Sequence, residues 1–416
     1  MIPTRFFITA LAILLQFAVY LAVSRWLKRH YPAKPGLRAA ARLPFLFFNS
    51  FSLIAAFVRP NISDLPQLVT PLLVYPFFIW QGSTFILGLL LFAGWLLLLP
   101  IRIARVVARR LPRVRDRLAV LHSAPGYQRF DASRRVFIRN GTLGLAATTF
   151  GATAYGMYLE RSSFEVRDET FFLPSLLPGL DGFSIGLVTD IHSSVYMTRA
   201  DMEEIVRLTN ALRCDLVLVG GDFVNSSTEE VTPFAEAFSQ LHAPFGVYGV
   251  TGNHDYYTED TDAVLREVEA CGIRLLRNDN VVISRNDASI YLAGVDDPGR
   301  RPGVWPSTSP LLTHAPLSIP RVLLCHRPYP FPAASKSGID LMLSGHTHGG
   351  QVVLGRFGDV VLTPAAAASP YVAGRYTYGR SQLYVSRGVG TVGIPVRINC
   401  RPEITRIILR TGQPPA

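Results

Sequence analysis

Five short segments of this 416-residue chain combine aspartate, histidine and asparagine in ways that suit metal binding. The segments are Asp190-Ile191-His192, Gly221-Asp222, Gly252-Asn253-His254-Asp255, His326 and Gly345-His346-Thr347-His348. Carboxylate, imidazole and amide groups together suit borderline divalent metals such as Mn, Fe or Zn. A carboxylate between two such cations can bridge them, and a pair ~3.5–4 Å apart can clamp both oxygens of a displacement at phosphorus. These residue types therefore indicate metal-assisted hydrolysis of a phosphate ester.

The elements that would position these residues are short apolar runs, which we predict to be buried strands. The runs are FSIGLVTD (183–190), DLVLVG (215–220), FGVYGV (245–250), RVLLCH (321–326) and DLMLSGH (340–346). Two further stretches, 200–214 and 261–272, space their apolar residues as amphipathic helices do. Strands that alternate with helices predict an α/β domain. Because ligands bind beyond the carboxyl ends of the strands in such sheets, we expect the five segments to meet in one crevice.

Taken in order, the motifs D-x-H, G-D, G-N-H-D, a lone histidine and G-H-x-H resemble those of the calcineurin-like metallophosphoesterases. The resemblance covers residues 180–410, and five motifs in the same order are far more specific than any one alone. It implies an α/β catalytic domain over residues 180–411, built as a four-layer αββα sandwich. It also implies attack on phosphorus by a metal-activated hydroxide.

The same resemblance implies two metal sites that share one aspartate. The first metal site would be formed by Asp190, His192, Asp222 and His348, and the second metal site by Asp222, Asn253, His326 and His346. His254 would not be a ligand; it would stabilise charge on the phosphoryl group or protonate the leaving oxygen. Mn²⁺ is the favoured metal, with Fe and Zn as alternatives. Each motif taken alone could also have a purely structural role: an ordinary turn, a glycine in the left-handed conformation or a histidine in the core.

Two departures from the family pattern narrow the expected function. The serine/threonine protein phosphatases of the superfamily carry G-D-x-V-D-R-G and G-N-H-E, whereas this chain has GDFVNSS at 221–227 and GNHD at 252–255. Protein phosphatase activity of that type is therefore not expected. Asn225 stands where many relatives have an acid that orients the equivalent of His254. A neutral amide can hydrogen-bond the ring, but it does not favour the protonated form.

The C-terminal stretch 382–409 resembles a branch of bacterial membrane-anchored metallophosphoesterases with several N-terminal spans. Some relatives of that branch hydrolyse UDP-2,3-diacylglucosamine in lipid A synthesis. The resemblance suggests that Arg387, Arg397 and Asn399 contact a substrate phosphate or head group. The alternative is an edge strand whose arginines are solvated.

Charge is divided unevenly along the chain, whose formal net charge is +11. Residues 1–139 hold 19 Lys and Arg against 3 Asp and Glu, whereas residues 140–416 hold 22 against 27. The positive charge thus lies in the apolar part of the chain, where it indicates membrane topology. The catalytic part is mildly acidic, so no nucleic-acid partner is expected.

Residues 1–139 are predicted to form a membrane region with about three transmembrane helices and basic cytoplasmic loops. Residues 6–24 and 82–101 are apolar and long enough to span, whereas 43–58 are apolar but short. Three prolines in the stretch 65–80 predict a break there, because proline breaks or kinks helices. We therefore expect 65–80 to be an interfacial or re-entrant piece, with a separate span as the alternative.

Residues 140–158 are uncharged but only weakly apolar, and they are predicted to be a fourth span or a helix on the membrane surface. The positive-inside rule puts the basic loops in the cytoplasm, so a fourth span would place the catalytic domain outside it. A surface helix would leave the domain inside. Residues 133–138, SRRVFI, resemble the twin-arginine export motif, although an arginine-rich flank also produces such pairs by chance.

The leading hypothesis is an enzyme of the cell (inner) membrane that hydrolyses a phosphodiester or pyrophosphate bond, with a role in lipid metabolism. Its partners would be the lipid bilayer and a phosphate-ester substrate, which could be lipid-linked or a nucleotide sugar; tethering would concentrate the enzyme near such a substrate. One alternative is a catalytically silent, metal-bound membrane interaction module, but all seven predicted ligands are present. Another is a transporter or sensor, but no charged residue interrupts the apolar runs.

Overall fold

The computed structural model describes residues 4–58, 69–299, 301, 308–313, 315–316, 318–357 and 360–413. The chain divides into an N-terminal unit, Met1–Ala154, and a C-terminal unit, Tyr155–Ala416. The described part of the N-terminal unit is helical. Its helices are α1 (Thr4–His30), α2 (Pro35–Ala40), α3 (Arg42–Val58), α4 (Tyr75–Arg110), α5 (Pro112–Ser123) and α6 (Pro125–Tyr158), which continues into the C-terminal unit.

Within the described residues, two helical segments are long and apolar enough to cross a membrane, Thr9–His30 and Thr70–Ala108. The first matches the span predicted at 6–24. The second begins earlier than the predicted 82–101, because a π-helical turn leads directly into α4. The break predicted at 65–80 is therefore wrong from residue 70 onward; residues 65–68 lie outside the described part. Pro71 sits in the first turn, where no backbone N–H is needed, whereas Pro76 directly follows the π-helical turn inside the continuous segment.

The other two predicted spans are also helical. Residues 43–58 lie in α3, which has 17 residues, and residues 140–158 form the second half of α6. The first helix is short and the second is weakly apolar, so neither meets the length and hydropathy that the two segments described above have. Their insertion into a membrane, and the number of spans beyond two, stay predictions.

A buried polar cluster connects helices α1, α3 and α4 inside the N-terminal unit. Gln16 of α1 has no exposed surface, and its side chain bonds that of Gln81 in α4. The Trp80 indole donates to the Gln16 carbonyl oxygen at 3.1 Å, and Gln81 Nε2 donates to Ser52 Oγ of α3 at 2.6 Å. Hydrogen bonds between side chains hold helices together where the surroundings are apolar. The sequence analysis looked only for charged residues within the apolar runs, so these uncharged polar residues were not identified by it.

The C-terminal unit alternates strands and helices. Its strands are β1 (Glu165–Leu173), β2 (Ser184–Val188), β3 (Leu216–Val219), β4 (Val247–Gly249), β5 (Arg274–Leu275), β6 (Asp279–Arg285), β7 (Ala288–Gly294), β8 (Arg321–Leu324), β9 (Leu341–Ser344), β10 (Gly355–Phe357), β11 (Val360–Leu362), β12 (Gly374–Tyr378), β13 (Ser381–Val385) and β14 (Glu403–Thr411). Its helices are α7 (Arg199–Ala211), α8 (Val231–Phe238), α9 (Thr261–Ala270), α10 (Ser309–Thr313) and α11 (Phe331–Lys336).

Two six-stranded sheets form the centre of this unit, in the orders β1-β14-β2-β3-β4-β5 and β12-β13-β9-β8-β7-β6. Alternate residues of each strand point to opposite faces. Leu216 and Leu218 of β3 therefore face the core between the sheets, whereas Val217 and Val219 pack with α7, α8 and α9. The second sheet carries α10 and α11 on its outer face. The resulting helix–sheet–sheet–helix order confirms the predicted four-layer α/β fold.

The five predicted strands are present as β2, β3, β4, β8 and β9, and the two predicted helices are α7 and α9. The sequence pattern did not reveal β1, which lies before residue 180 and pairs in parallel with β14 over nine residues. The exposed first half of β1 is charged, so it presents no apolar run. The sheet of the catalytic domain thus begins at Glu165. A separate two-stranded hairpin, β10–β11, follows the G-H-x-H motif.

Candidate dinuclear metal centre

All seven predicted ligands lie just beyond the carboxyl ends of parallel strands. Asp190 and His192 follow β2, Asp222 follows β3 and Asn253 follows β4 in the first sheet. His326 follows β8, and His346 and His348 follow β9, in the second sheet. The two sheets stack face to face, so these strand ends meet at one edge of the sandwich. This is the position at which open α/β sheets bind ligands.

Five of the seven predicted ligands have a left-handed backbone, although none is glycine. They are Asp190 (φ 56°), His192 (φ 52°), Asp222 (φ 53°), His346 (φ 74°) and His348 (φ 52°). Each such residue costs on the order of 1–3 kcal/mol, and such residues cluster at functional sites where the surroundings enforce them. The backbone is therefore bent to bring these side chains together, which ordinary packing would not require.

The side chains predicted for the first metal site are in close contact. His192 Nε2 lies 3.1 Å from His348 Nε2 and 3.3 Å from Asp222 Oδ2. His348 Nε2 lies 3.6 Å from Asp190 Oδ1. The Nδ1 atoms of both rings are buried and have no hydrogen-bond partner among the described residues. Two imidazole nitrogens that face each other beside two carboxylates form a donor set that fits a divalent cation.

The second metal site is built around His326. Its Nδ1 donates to the Gly220 carbonyl at 2.8 Å, which turns Nε2 towards the other predicted ligands. That nitrogen lies 3.2 Å from Asp222 Oδ2, 3.3 Å from Asn253 Oδ1 and 3.3 Å from His346 Nδ1. Asp222 Oδ2 therefore faces both groups, as a bridging ligand would. The ligand assignments stay predictions, and the geometry fits them.

The electrostatics of the site favour a cation between the carboxylates. Burial opposes the charge of Asp222, but the imidazoles around it, His326 foremost, hold the pKa of that carboxyl well below its usual range. Burial also lowers the pKa of His326, yet the adjacent Asp222 carboxylate outweighs this effect and raises the pKa to about 10. Burial lowers the pKa of His346 to about 3 and that of His348 well below its ordinary value. These last two rings are thus neutral and offer lone pairs to a metal.

His254 lies beside the predicted ligands. Its backbone N–H donates to Asp222 Oδ1 at 2.7 Å, and its ring centre is 4.5 Å from that of His192. The ring Nδ1 donates to the backbone carbonyl of Asn225 at 2.6 Å, whereas the Asn225 side chain bonds Ser226 Oγ. The hydrogen bond that the Asn225 amide could have made to the ring is therefore absent. A backbone carbonyl orients His254, so the identity of the side chain at 225 matters little.

Asp255, the last residue of the G-N-H-D motif, has a role that the sequence analysis did not assign. Its buried carboxylate accepts hydrogen bonds from four backbone N–H groups, in the loops after β3 and β4. These groups belong to Asp222, Phe223, Val224 and Gly252. Burial, together with the Asp222 carboxylate, raises the pKa of Asp255 to about 7. The carboxylate thus connects the loop of the bridging aspartate to the loop of Asn253.

Tyr257 orients the amide of Asn253, and sequence reasoning did not single it out. Asn253 Nδ2 donates to the Tyr257 hydroxyl at 3.2 Å, which turns Oδ1 towards the second metal site. The Tyr257 ring also lies 4.7 Å from the ring of His254. The only signal in the sequence is an aromatic residue shortly after the motif, which is too common to carry a prediction.

Arg387 and Arg397, the candidates for substrate contact, are both buried. Arg397 has no exposed surface, and its guanidinium donates to backbone carbonyls. Arg387 is 7% exposed and its Nε donates to the Glu403 carboxylate. These positions present neither guanidinium to a substrate. The alternative of solvated arginines on an edge strand is also wrong. Both arginines lie in the loop after β13, and β13 is not an edge strand because β12 pairs with it at the edge of the sheet.

The calcineurin-like phosphoesterase family matches residues 183–350, a segment that includes all seven predicted ligands and His254. Bacillus subtilis YkuE, named as an uncharacterized metallophosphoesterase, is 32% identical over 289 residues, which cover 67% of this chain and 98% of that protein. The Escherichia coli phosphodiesterase YaeI is 30% identical over 284 residues, which cover 67% of this chain and 99% of that protein.

A zebrafish (Danio rerio) protein, named as a transmembrane protein with metallophosphoesterase domain, is 33% identical over 282 residues. That match covers 65% of this chain and 63% of the zebrafish protein, so the chain spans less than two thirds of this relative. The two bacterial relatives are matched over nearly their whole length, and they confirm the predicted family and, at the level of the family, the predicted enzyme class. This chain therefore belongs to the calcineurin-like phosphoesterase family.

Proposed function

We propose that this protein is a membrane-anchored phosphoesterase that uses two divalent metal ions to hydrolyse a phosphodiester or pyrophosphate bond. The observation that carries the proposal is the position of Asp222, whose Oδ2 lies 3.3 Å from His192 Nε2 and 3.2 Å from His326 Nε2. One carboxylate oxygen thus serves both ligand groups. When bound, the metals would supply a hydroxide nucleophile near neutral pH and neutralise charge on the phosphoryl group.

His254 is the residue that we propose to act on the leaving oxygen. Its Nδ1 proton is donated to the Asn225 carbonyl, so Nε2 is the nitrogen available to a substrate. Burial lowers the pKa of the free ring to about 4. A negatively charged phosphoryl group beside the ring would favour its protonated form, because an opposite charge nearby raises the pKa of an imidazole. The proton would then stabilise that group or pass to the leaving oxygen.

We propose that both metal ions of the site are Mn²⁺, with Fe and Zn as the alternatives. The donor set is four imidazoles, two carboxylates and one amide, without cysteine. Cys325 and Cys400 are buried near the ligands, but neither belongs to the groups of side chains that could hold an ion in the described part of the chain. A mixed nitrogen and oxygen set suits these three metals better than Ca²⁺ or Cu⁺.

The substrate that we propose is membrane-associated. With the catalytic domain outside the cytoplasm it is a lipid-linked phosphodiester; a nucleotide-sugar pyrophosphate of the UDP-2,3-diacylglucosamine kind is the alternative and requires the domain to lie inside. Two helical segments long and apolar enough to cross a membrane support a membrane-associated substrate. The hairpin β10–β11 exposes Leu354, Phe357 and Leu362, which are 67%, 71% and 50% accessible. The hairpin begins seven residues after His348, and Thr363 at its end bonds the Gly350 carbonyl beside that ligand. An apolar surface next to the site supports a substrate with acyl chains.

We propose the cell (inner) membrane as the location, with the catalytic domain outside the cytoplasm. The arginine-rich segment between α4 and the apolar half of α6 supports this orientation, because basic loops stay in the cytoplasm. The orientation would be tested by labelling single cysteines from one side of intact cells. A cysteine at exposed Arg401 should react with an impermeant maleimide if the proposal is right, and should be protected if it is wrong.

The experiment that tests the proposed chemistry uses the full chain purified in detergent. Hydrolysis of bis-p-nitrophenyl phosphate and p-nitrophenyl phosphate would be followed with added Mn²⁺, with EDTA and in the Asp222→Asn variant. We expect turnover that requires Mn²⁺ and that is lost in the variant. The ratio of the two substrates would distinguish a diesterase from a monoesterase.

No turnover of either substrate by a folded chain that binds two metal ions would overturn a general phosphoesterase. Hydrolysis of UDP-2,3-diacylglucosamine in mixed micelles would then decide between the two remaining interpretations. Turnover of that lipid would establish a narrow specificity. Its absence would favour a silent, metal-bound interaction module.

A further inference from the structure

Arg397 is a fully buried cation that makes no ion pair among the described residues. It lies in the loop between β13 and β14, and burial lowers its pKa. A buried charge is costly unless it is hydrogen-bonded. Its donors are satisfied by the carbonyls of Arg387, Gly388, Gly390 and Cys400, at 2.9, 3.0, 2.6 and 3.0 Å. The guanidinium therefore holds two ends of one loop together.

One end of this loop packs directly on the segment that carries Asp190. Val389 N–H donates to the Thr189 carbonyl at 3.0 Å, and Gly390 N–H donates to the Asp190 carbonyl at 2.7 Å. Gly388 has a φ of 65°, and a Cβ there would lie 2.7 Å from the Cβ of Asp190. The three residues thus fill the space against Asp190, which is itself held in the left-handed conformation.

The other end of the loop contacts the segment that carries His348. Cys400, whose carbonyl binds Arg397, places its Sγ 3.3 Å from the His348 carbonyl. A Cβ at Gly349 would lie 2.8 Å from this sulfur, so the two segments are tightly packed. Asp190 and His348 are ligands of the same metal in the assignment above. Arg397 thus connects the backbones beneath two ligands of the first metal site.

We propose that Arg397 is a positioning residue for the first metal site, which it shapes by holding the 387–390 loop against Asp190 and Cys400 against His348. The inference rests on the proposed function, because the site is the one assigned there. Arginine suits this role because its planar fork offers five donors in a fixed geometry. Lysine keeps the charge, but its single nitrogen cannot reach carbonyls on both ends of the loop.

The test compares Arg397→Lys with the wild-type full chain in detergent, after metal removal. Mn²⁺ binding would be measured by calorimetry, and the signal of paired Mn²⁺ ions by electron paramagnetic resonance. Loss of partners in the outer shell of a metal site typically lowers metal affinity ~10–100-fold. We expect such a loss for one of two ions, with the second ion bound normally and the paired signal replaced by that of a single ion.

Arg321 provides a matched control for the cost of disturbing a buried arginine. It is 4% exposed, and its guanidinium donates to the carbonyls of Ala315, Pro316, Ser337 and Gly338. None of these residues adjoins a predicted ligand. Arg321→Lys should therefore lower thermal stability about as much as Arg397→Lys while both ions bind with wild-type affinity.

Gly388→Ala alters the same contact with Asp190 and leaves the arginine itself unchanged. Its new Cβ would push against Asp190, so we expect the same selective loss of one ion. If Arg397→Lys does not fold, this variant alone decides the matter. Two ions bound with wild-type affinity by Arg397→Lys, or by Gly388→Ala in that case, would overturn the inference. So would an equal loss in Arg321→Lys.

The wild-type protein separates this inference from the proposed function. If the wild-type chain does not bind two metal ions, the proposed dinuclear site itself is wrong. If it binds two ions and the variants bind them equally well, the site is right and the role of Arg397 is wrong.

Discussion

The two units of this protein bury different kinds of polar side chain. In the described part of the N-terminal unit the buried polar residues are all uncharged, namely Gln16, Ser83, Thr84, Thr149 and Thr153. The C-terminal unit buries aspartates, histidines and arginines, and it concentrates them beneath the strand ends. The surfaces differ as well: the N-terminal helices expose large apolar residues such as Leu97, which is 77% accessible.

This difference is the one expected for N-terminal helices that lie in a membrane and a C-terminal domain that does not. A charge in a lipid-exposed helix has no water to return to, so uncharged amides and hydroxyls are the polar groups that such helices tolerate. A domain in water can bury a charge where other charges and hydrogen bonds compensate it. In the C-terminal unit a cluster of buried charges at the strand ends therefore points to function, whereas a single buried charge such as Arg321 does not. In the described part of the N-terminal unit, buried amides and hydroxyls take the place of buried charges.

The largest effect is expected at Asp222. Asp222→Asn removes the charge that both metal sites share, so turnover of bis-p-nitrophenyl phosphate should fall by at least ~10²-fold, as for other groups that stabilise charge at a reacting centre. Metal content should fall with it, measured by elemental analysis.

Asp215→Asn is the matched control, because Asp215 precedes the same strand, β3, and bonds Ser184 and Arg285 at its other end. It should change stability but not turnover. Equal loss of turnover in both variants would contradict a special role for the charge at 222, and with it the distinction between the units.

The next effect is expected at His254. Removal of a proton donor typically costs ~10²-fold or more, so His254→Ala should lower kcat to that extent while both metal ions stay bound. The loss should be smaller for a p-nitrophenol leaving group, which leaves without a proton, than for an alkyl leaving group. His242, an exposed histidine of the same unit, provides the His242→Ala control. A loss that is the same for both leaving groups would limit His254 to charge stabilisation.

The hairpin β10–β11 is a place where the C-terminal unit exposes apolar side chains close to the candidate site. If it contacts lipid, Phe357→Ser should lower turnover of UDP-2,3-diacylglucosamine in vesicles by ~10-fold, since burial of a large apolar side chain is worth ~1.5 kcal/mol or more. Turnover of soluble bis-p-nitrophenyl phosphate should not change. Val282→Ser, at a 48% exposed residue of β6, is the control and should leave both rates unaltered. A parallel fall of both rates would point to a disturbed site instead.

The smallest effect is expected in the polar cluster of the N-terminal unit. Gln81→Leu removes the bonds to Gln16 and Ser52, so the free energy of unfolding in micelles should fall by ~0.6 kcal/mol for each bond, the average for such bonds in membrane helices. Turnover of soluble substrates should be unchanged. Leu97→Ala, at a surface that faces outward, should have no effect on unfolding. If Gln81→Leu stabilises the unit, the amides are kept for another purpose than holding helices.

The convergence of the candidate site residues was predictable because their motifs are local. Each ligand lies within a few residues of a strand end, so the order of short apolar runs was enough to bring Asp190, Asp222 and His326 to one crevice. The roles of Asp255 and Tyr257 were not predictable, because they depend on hydrogen bonds between loops whose relative position the pattern does not contain. Arg397 was misjudged for a related reason: the backbone carbonyls that make its burial affordable leave no trace in the side-chain pattern.

The limits in the N-terminal unit are different. Hydropathy located the first spanning segment, but the prolines led to a break at 65–80 that is absent from residue 70 onward. A proline in the first turn of a helix, such as Pro71, removes no needed N–H, and the sequence alone does not say which residue is the first of a helix. Pro100 even lies inside α4, where the helix continues.

The five left-handed ligands have a consequence for how long the protein persists in the cell. Strain lowers the stability of the metal-free fold, and ion binding to the folded state offsets that cost, so the folded population depends on the metal supply of its compartment. An ion present at ~100 times its dissociation constant would add ~2.7 kcal/mol to the stability of the folded state. Starvation for the metal would therefore remove the protein through proteolysis as well as inactivate it, and its abundance would record the metal status of its surroundings.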